Sequence, residues 1–310
     1  MPELTSLYLA FSDLEPLLEK SRSGYFSTVS RAKAAVYAAL PDHLKRRLHV
    51  ASLGGGKEAF ARLVEEAEKY PGVQDYYLVS AIKAGAGEVE SERLERLIPK
   101  LSNRELRQPL LDYINYAQAG RLLTDGRWRE AVLLAGKIEQ PECRALRLLE
   151  TAFSISGRSA NEAAELLDLA ALWAAKAVNS NEKAVLQFSI AGLSAKLDKQ
   201  RALDVTIEAT ATINGLIEPD LSVTSYVQRL SAGGFETSLS YTFTSFSLEE
   251  IFGLLSEFDF DQAQATADRI DDRSLRARTM LTISSRCLKK AEEKLAQEKR
   301  KKSVAEARQK

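Results

Sequence analysis

An apolar triplet at positions i, i+4 and i+7 recurs along this 310-residue chain at nearly fixed intervals, and one helix face repeated at that period leaves few architectures open. The copies are Phe60/Val64/Ala67, Leu94/Ile98/Leu101, Ala131/Ala135/Ile138, Ala163/Leu167/Ala170, Ala202/Thr206/Ala209 and Ala263/Ala267/Ile270. Successive offsets are 34, 37, 32, 39 and 61 residues, so each step but the last is one helical hairpin long, and the last leaves room for an insertion. A longer alignment runs without a gap at offset 132, pairing Arg144 with Arg276, Ala145 with Ala277 and Leu149 with Leu281. A hairpin with an apolar stripe on two sides must stack on neighbours to bury both. The expected fold is all-α: a right-handed α-solenoid of stacked helical hairpins with one non-helical Ser/Thr-rich insertion. An irregular helical bundle is the alternative, since Ala-rich i, i+4 patterns occur in any buried helix.

Start signals place a Ser or Asn three residues before a Glu at Ser12/Glu15, Ser102/Glu105, Ser159/Glu162, Asn179/Glu182 and Ser247/Glu250. Between them lie stop signals such as Pro41, Gly54-Gly55-Gly56, Pro71-Gly72, Asp125-Gly126 and Pro141. Separate helices are expected near 3–10 and 13–21, one helix over 90–101, and a last one over 273–298. In 221–247, Leu239, Tyr241 and Phe243 alternate with Ser238, Ser240, Thr242 and Thr244, a period of two that predicts extended structure. The resulting organisation is 1–53, N-terminal helices able to cap the stack; 54–220, hairpin repeats; 221–247, the insertion; 248–290, a final hairpin; and 291–310, a basic tail.

The run Leu122-Leu123-Thr124-Asp125-Gly126-Arg127-Trp128-Arg129-Glu130-Ala131 resembles the turn and second-helix start of a tetratricopeptide repeat. In that family the Gly permits the turn, the aromatic packs on the preceding helix and the small Ala allows close crossing. Asp259-Phe260-Asp261-Gln262-Ala263 keeps the aromatic and the Ala but has Asp259 in place of Gly126. The resemblance implies a binding scaffold whose first helices line a concave face.

Composition narrows the function. With 43 basic and 43 acidic residues, no net field draws the chain to nucleic acid or to an anionic membrane, and the Lys-rich tail has interspersed glutamates and no interleaved aromatics. The two cysteines, Cys143 and Cys287, lie in apolar-periodic stretches, which suits buried reduced thiols in the cytoplasm. Met1 to Lys20 carries Glu3, Asp13, Glu15 and Glu19 and lacks the form of a secretory leader, a reading that leaves open a leader upstream of Met1. Ala163 to Val178 is interrupted by Glu165, Asp168 and Lys176 and is unsuited to a bilayer.

No catalytic, cofactor or metal constellation emerges. His43 and His49 point to different faces of one helix, and Cys143 has no positioned His. Gly54-Gly55-Gly56-Lys57 lacks the strand and glycine spacing of a phosphate loop, while Asp271-Asp272 stand where a helix cap belongs. Trp128 and Trp173 read as packing anchors. One charged pattern remains: thirteen residues after the triplet start, four units carry Arg107, Arg144, Lys176 and Arg276. Arg107, Arg144 and Arg276 form a candidate row for an acidic peptide, with a salt-bridge ladder to Glu105 and Glu142 as the structural alternative. Tyr226, Tyr241 and Phe243 of the insertion are candidates to cover part of the groove.

The expected function is a non-catalytic scaffold that needs no cofactor and binds an extended peptide or partner protein. The rivals are a helical-repeat nucleic-acid binder, which zero net charge disfavours, and an enzyme within a helical toroid, which needs convergent carboxylates the sequence does not display. The repeat period predicts an elongated molecule. Small-angle scattering checks this, and a radius of gyration near the compact expectation of about 2.2·N^0.38 Å rejects the solenoid in favour of a bundle.

Overall fold

The computed structural model describes residues 2–21, 23–232, 235–244 and 246–308; it is 76% helical, with 15 α-helices and a small two-stranded sheet. It divides into two compact units, Met1–Asn103 with Ala232–Phe235, and Arg104–Ser231 with Glu236–Lys310. The first unit holds α1 (Pro2–Lys20), α2 (Phe26–Ala39), α3 (Asp42–Leu53), α4 (Gly56–Lys69), α5 (Gln74–Gly85) and α6 (Ser91–Glu95). The helices that follow are α7 (Arg107–Thr124), α8 (Trp128–Ala135), α9 (Pro141–Ile155), α10 (Ala160–Lys176), α11 (Asn181–Leu197) and α12 (Lys199–Asn214). Strands β1 (Ser225–Ala232) and β2 (Phe235–Thr242) precede α13 (Leu248–Phe258), α14 (Phe260–Asp268) and α15 (Arg273–Arg308).

Of the eighteen residues in the six apolar triplets, all but the half-buried Val64 are buried. Alanine dominates the later copies because a methyl group lets paired helices approach closely without leaving a void. In the second unit α7 packs on α8, α9 on α10, α11 on α12, and α13 on α14. First helices also pack on first helices, in the order α7, α9, α11, α13 and α15. Helix α11 is buried around its whole circumference, as its apolar sequence requires. The offset-132 register holds in sequence but not in burial. Leu149 of α9 is 1% exposed, and Leu281 of α15 is 71% exposed. The difference follows from the neighbours: α9 has α11 stacked on it, whereas the principal helical contacts of α15 are α13 and α14.

Helix ends follow local chemistry. After α7, Gly126 takes a left-handed φ of 76°, while Arg127 N–H donates to Leu122 O and Gly126 N–H to Leu123 O, a Schellman closure that a Cβ would strain. In the offset-132 register Asp259 stands opposite Arg127 and not Gly126: α13 runs to Phe258, Asp259 with φ −143° is the single residue before α14, and its carboxylate caps that helix through Gln262 N–H at 3.0 Å, so this shorter turn needs no glycine. Ser247 caps α13 through Glu250 N–H and Asp272 caps α15 through Leu275 N–H, as the sequence predicts. Elsewhere the expected starts move. Ser180, not Asn179, caps α11. Ser12 starts nothing: its hydroxyl bonds Tyr8 O inside a single continuous α1. Pro99 turns the expected helix at 90–101 into the short α6 followed by a 3₁₀ turn at Ile98–Lys100. Helix α15 runs on through the basic tail to Arg308; Lys310 lies outside the described residues.

A buried carboxylate fixes a connection in each unit. Asp75 of α5 accepts bonds from Ser102 N–H, Ser102 Oγ and Asn103 N–H at 2.8, 2.7 and 2.9 Å. Asp112 of α7 accepts Glu139 N–H, Gln140 N–H and Gln108 Nε2 at 3.0, 2.8 and 2.9 Å. The acceptor lies 37 residues on, and so do the amides it holds, so the device belongs to the repeat. It also explains why Ser102 caps no helix: its hydroxyl is spent on Asp75. Asp112→Ala leaves two amides without their charged acceptor and is expected to cost about 2–4 kcal/mol in urea unfolding, against under about 0.5 kcal/mol for the exposed Leu133→Ala.

Candidate functional site

The cation row occupies one repeat position but three environments. Arg107 is the first residue of α7 and half-buried. Arg276 donates from Nη1 to Ile270 O at 3.1 Å, closing the carbonyl end of the preceding segment. Arg144 stacks on the Trp173 indole, its guanidinium carbon 4.0 Å from the ring centroid, and Lys176 Nζ stands 3.9 Å from the same centroid. Glu142, the acid expected to pair with Arg144, is buried and accepts a bond from Gln140 Nε2 instead. Trp173 is thus a platform for two cations, which its packing role did not foretell.

The insertion is extended as the alternation predicts, with Leu239 and Tyr241 inside β2 and Phe243 just beyond its end; β1 carries no such signal, and the inward set is fixed by what lies beneath. Leu239 and Tyr241 are fully buried. The Tyr241 ring meets Tyr116 edge-on at 4.8 Å and lies 6.0 Å from Tyr113 and 5.8 Å from Tyr226. Tyr226 is half-buried and its hydroxyl accepts from Gln140 Nε2 at 3.0 Å. Phe243 is 9% exposed, and its N–H closes the base of the hairpin on Thr224 O at 2.9 Å. Tyr241 and Phe243 therefore offer almost no surface to a partner in this conformation, and the Tyr241 ring fills the space over α7. Beyond the hairpin, Thr244 O accepts from Ser189 Oγ and Phe246 stacks on Phe188 at 5.7 Å, so the segment continues across α11.

Beneath Tyr241 lies an ionic network that no sequence motif announced. Arg147 of α9, 7% exposed, pairs from Nη1 with Glu150 Oε2 at 2.7 Å and lies 3.7 Å from the Tyr116 ring centroid. Tyr116 donates its hydroxyl to Glu150 Oε1 at 3.0 Å. Gly120 makes room, since a Cβ there would come within 3.0 Å of both terminal Arg147 nitrogens. The legible trace was an i, i+3 Arg/Glu pair on an otherwise apolar helix face. Burial raises the pKa of the Tyr116, Tyr226 and Tyr241 phenols and of the Cys143 thiol above their ordinary values. It raises that of Glu150 as well, against the lowering by Arg147 and Tyr116. A thiol held protonated in this way is a poor nucleophile.

The remaining candidates separate. His43 is exposed, whereas His49 lines a cavity of about 370 Å³ among α1, α2 and α3, together with Tyr8, Lys33 and Tyr37. Its charges are already matched: Lys33 Nζ bonds Glu15 Oε2 at 2.7 Å and Ser30 donates to Oε1, which together lower the Glu15 pKa. The Gly54–Gly56 turn faces the Glu88 carboxylate, 2.9 Å from where a Gly56 Cβ would stand, and a carboxylate there repels a phosphate. Among the described residues no group of three or more His, Cys, Asp or Glu is placed to hold a metal ion, and no helix is long and apolar enough to cross a membrane.

These features define a mostly helical protein of paired helices with a small sheet laid over the first helices of its second unit. Compared with protein-family models, curated proteins and solved structures, the chain matches none. Because the buried Tyr241 hydroxyl has no hydrogen-bond partner among the described residues, Tyr241→Phe is expected to change stability by less than about 1 kcal/mol. Tyr241→Ala is expected to cost about 3–5 kcal/mol, as other large buried aromatics do. Chemical denaturation of both variants checks the pair.

Proposed function

We propose that this chain is a non-catalytic interaction scaffold of the cytoplasm: a right-handed, tetratricopeptide-like solenoid of helical hairpins that holds an extended peptide or a partner protein along the face of its first helices. One observation carries the reading. That face already receives an extended segment, since β2, Thr244 and Phe246 lie on α7, α9 and α11, β2 through Tyr241. A surface that accepts a strand of its own chain has the aromatic pockets and polar anchors that recognise an extended peptide. The stacking order of first helices supports the solenoid, and the free thiols of Cys143 and Cys287 suit a reducing compartment.

The hairpin then acts as an intramolecular occupant, and its removal tests the reading. Thr224 O and Phe243 N are bonded at 2.9 Å, so excising 225–242 and joining the ends with two glycines preserves the path of the chain. The excised protein is expected to bind members of an extended-peptide array at least about tenfold more tightly than the intact chain, because the face is uncovered. A folded excised protein that binds no peptide overturns the proposal.

A further inference from the structure

In the second unit two cations without counter-ions stand beside exposed apolar side chains: Lys176 ends α10, and Arg144 of α9 lies against Trp173 of α10. Arg144 Nε is buried and has no acceptor among the described residues. Neither Arg144 nor Lys176 belongs to an ion pair among those residues. Asp168, the acid nearest to Trp173 along α10, is taken by Arg201 at 2.7 Å. Arg276, at the equivalent repeat position, spends a donor on Ile270 O, whereas the Trp173 ring holds Arg144 in a different arrangement. Leu169, Leu172 and Lys176 follow one another at i, i+3 and i+7 along α10, and both leucines are exposed. Leu133 of α8 is exposed too, one turn before Gly136, whose Cβ would stand 3.9 Å from Arg144 Nη2.

We propose that this face docks an acidic amphipathic helix of a partner protein, its leucine-like residues on Leu133, Leu169 and Leu172 and its carboxylates on the Arg144 and Lys176 cations braced by Trp173. The inference rests on the scaffold reading and names the partner's chemistry. Charge complementarity selects the occupant: two unpaired cations favour carboxylates and oppose a basic helix, and the i, i+3, i+7 row matches the stripe of a helix rather than of a strand. The Trp173 indole keeps the Arg144 guanidinium oriented before the partner arrives, so less side-chain entropy is lost on docking.

The test uses the full chain carrying Trp128→Phe, which leaves Trp173 as the only tryptophan and its emission as the signal. The probe is a synthetic helix of about 14 residues with Leu along one face and Glu on the other, and its control has Lys in place of every Glu. The Glu peptide is expected to shift the Trp173 emission and to bind at least about tenfold more tightly than the Lys peptide, with the difference shrinking at about 0.5 M salt. Lys176→Gln, at an exposed position, is expected to weaken it severalfold, and Arg144→Gln with Lys176→Gln by about tenfold or more. Three outcomes overturn the proposal: no binding of the Glu peptide, equal binding of the Lys peptide, or affinity unchanged in both variants. The scaffold reading is judged separately, by the hairpin excision, and survives any of the three.

Discussion

Everything in the second unit depends on the close approach that small side chains allow between paired helices. Ala131, Ala135, Ala163, Ala170, Ala202, Ala209, Ala263 and Ala267 are fully buried on α8, α10, α12 and α14, the second helices of the pairs. A methyl group at such a crossing contributes little surface by itself. What it permits is contact along the full length of both helices, and the summed dispersion and burial of the flanking leucines and isoleucines stabilise the pair. Pairing the helices aligns the first helices α7, α9, α11, α13 and α15, and that alignment creates the face on which β2 lies.

Polar groups inside this packing act as register marks. Asp75 and Asp112 each hold two backbone amides 27 and 28 residues further along the chain, which fixes the position of that connection within its own unit. The Arg147, Glu150 and Tyr116 network does similar service beneath Tyr241, where an apolar trio would pack but would accept several arrangements. Buried charge is costly, and pairing Arg147 with Glu150 and Glu150 with Tyr116 limits the ways in which α7 and α9 can fit, although Arg147 Nε is left without an acceptor among the described residues.

The candidate residues show how one repeat position acquires different chemistry. Arg144 and Arg276 stand at the same place in the offset-132 register, yet one lies on an indole and the other closes a carbonyl end. The local sequence is alike up to Ala145 and Ala277; the difference enters from α10, which supplies Trp173 to one arginine and has no counterpart at the other. Tyr241 and Phe243 illustrate the same dependence. Their alternation was legible as a strand, but a period of two gives two faces and does not say which one is covered.

The sequence by itself determined the helical pairs, their turns and the extended insertion, because these rest on interactions within a few residues: the i, i+4, i+7 stripe, the left-handed Gly126, the caps at Ser247 and Asp272, and the alternation at Leu239 to Phe243. Even there, Ser12 and Ser102 read as helix starts until Tyr8 O and Asp75 offered their hydroxyls better acceptors. Only the tertiary structure decided that Asp112 reaches Gln140, that Arg147 is buried against Tyr116, that Arg144 rests on Trp173, and that Leu281 is bare where Leu149 is covered. The physical reason is the same in each case. A side chain's local geometry is set by its own segment, but its burial, and the partner for its charge, come from whichever segment packs against it.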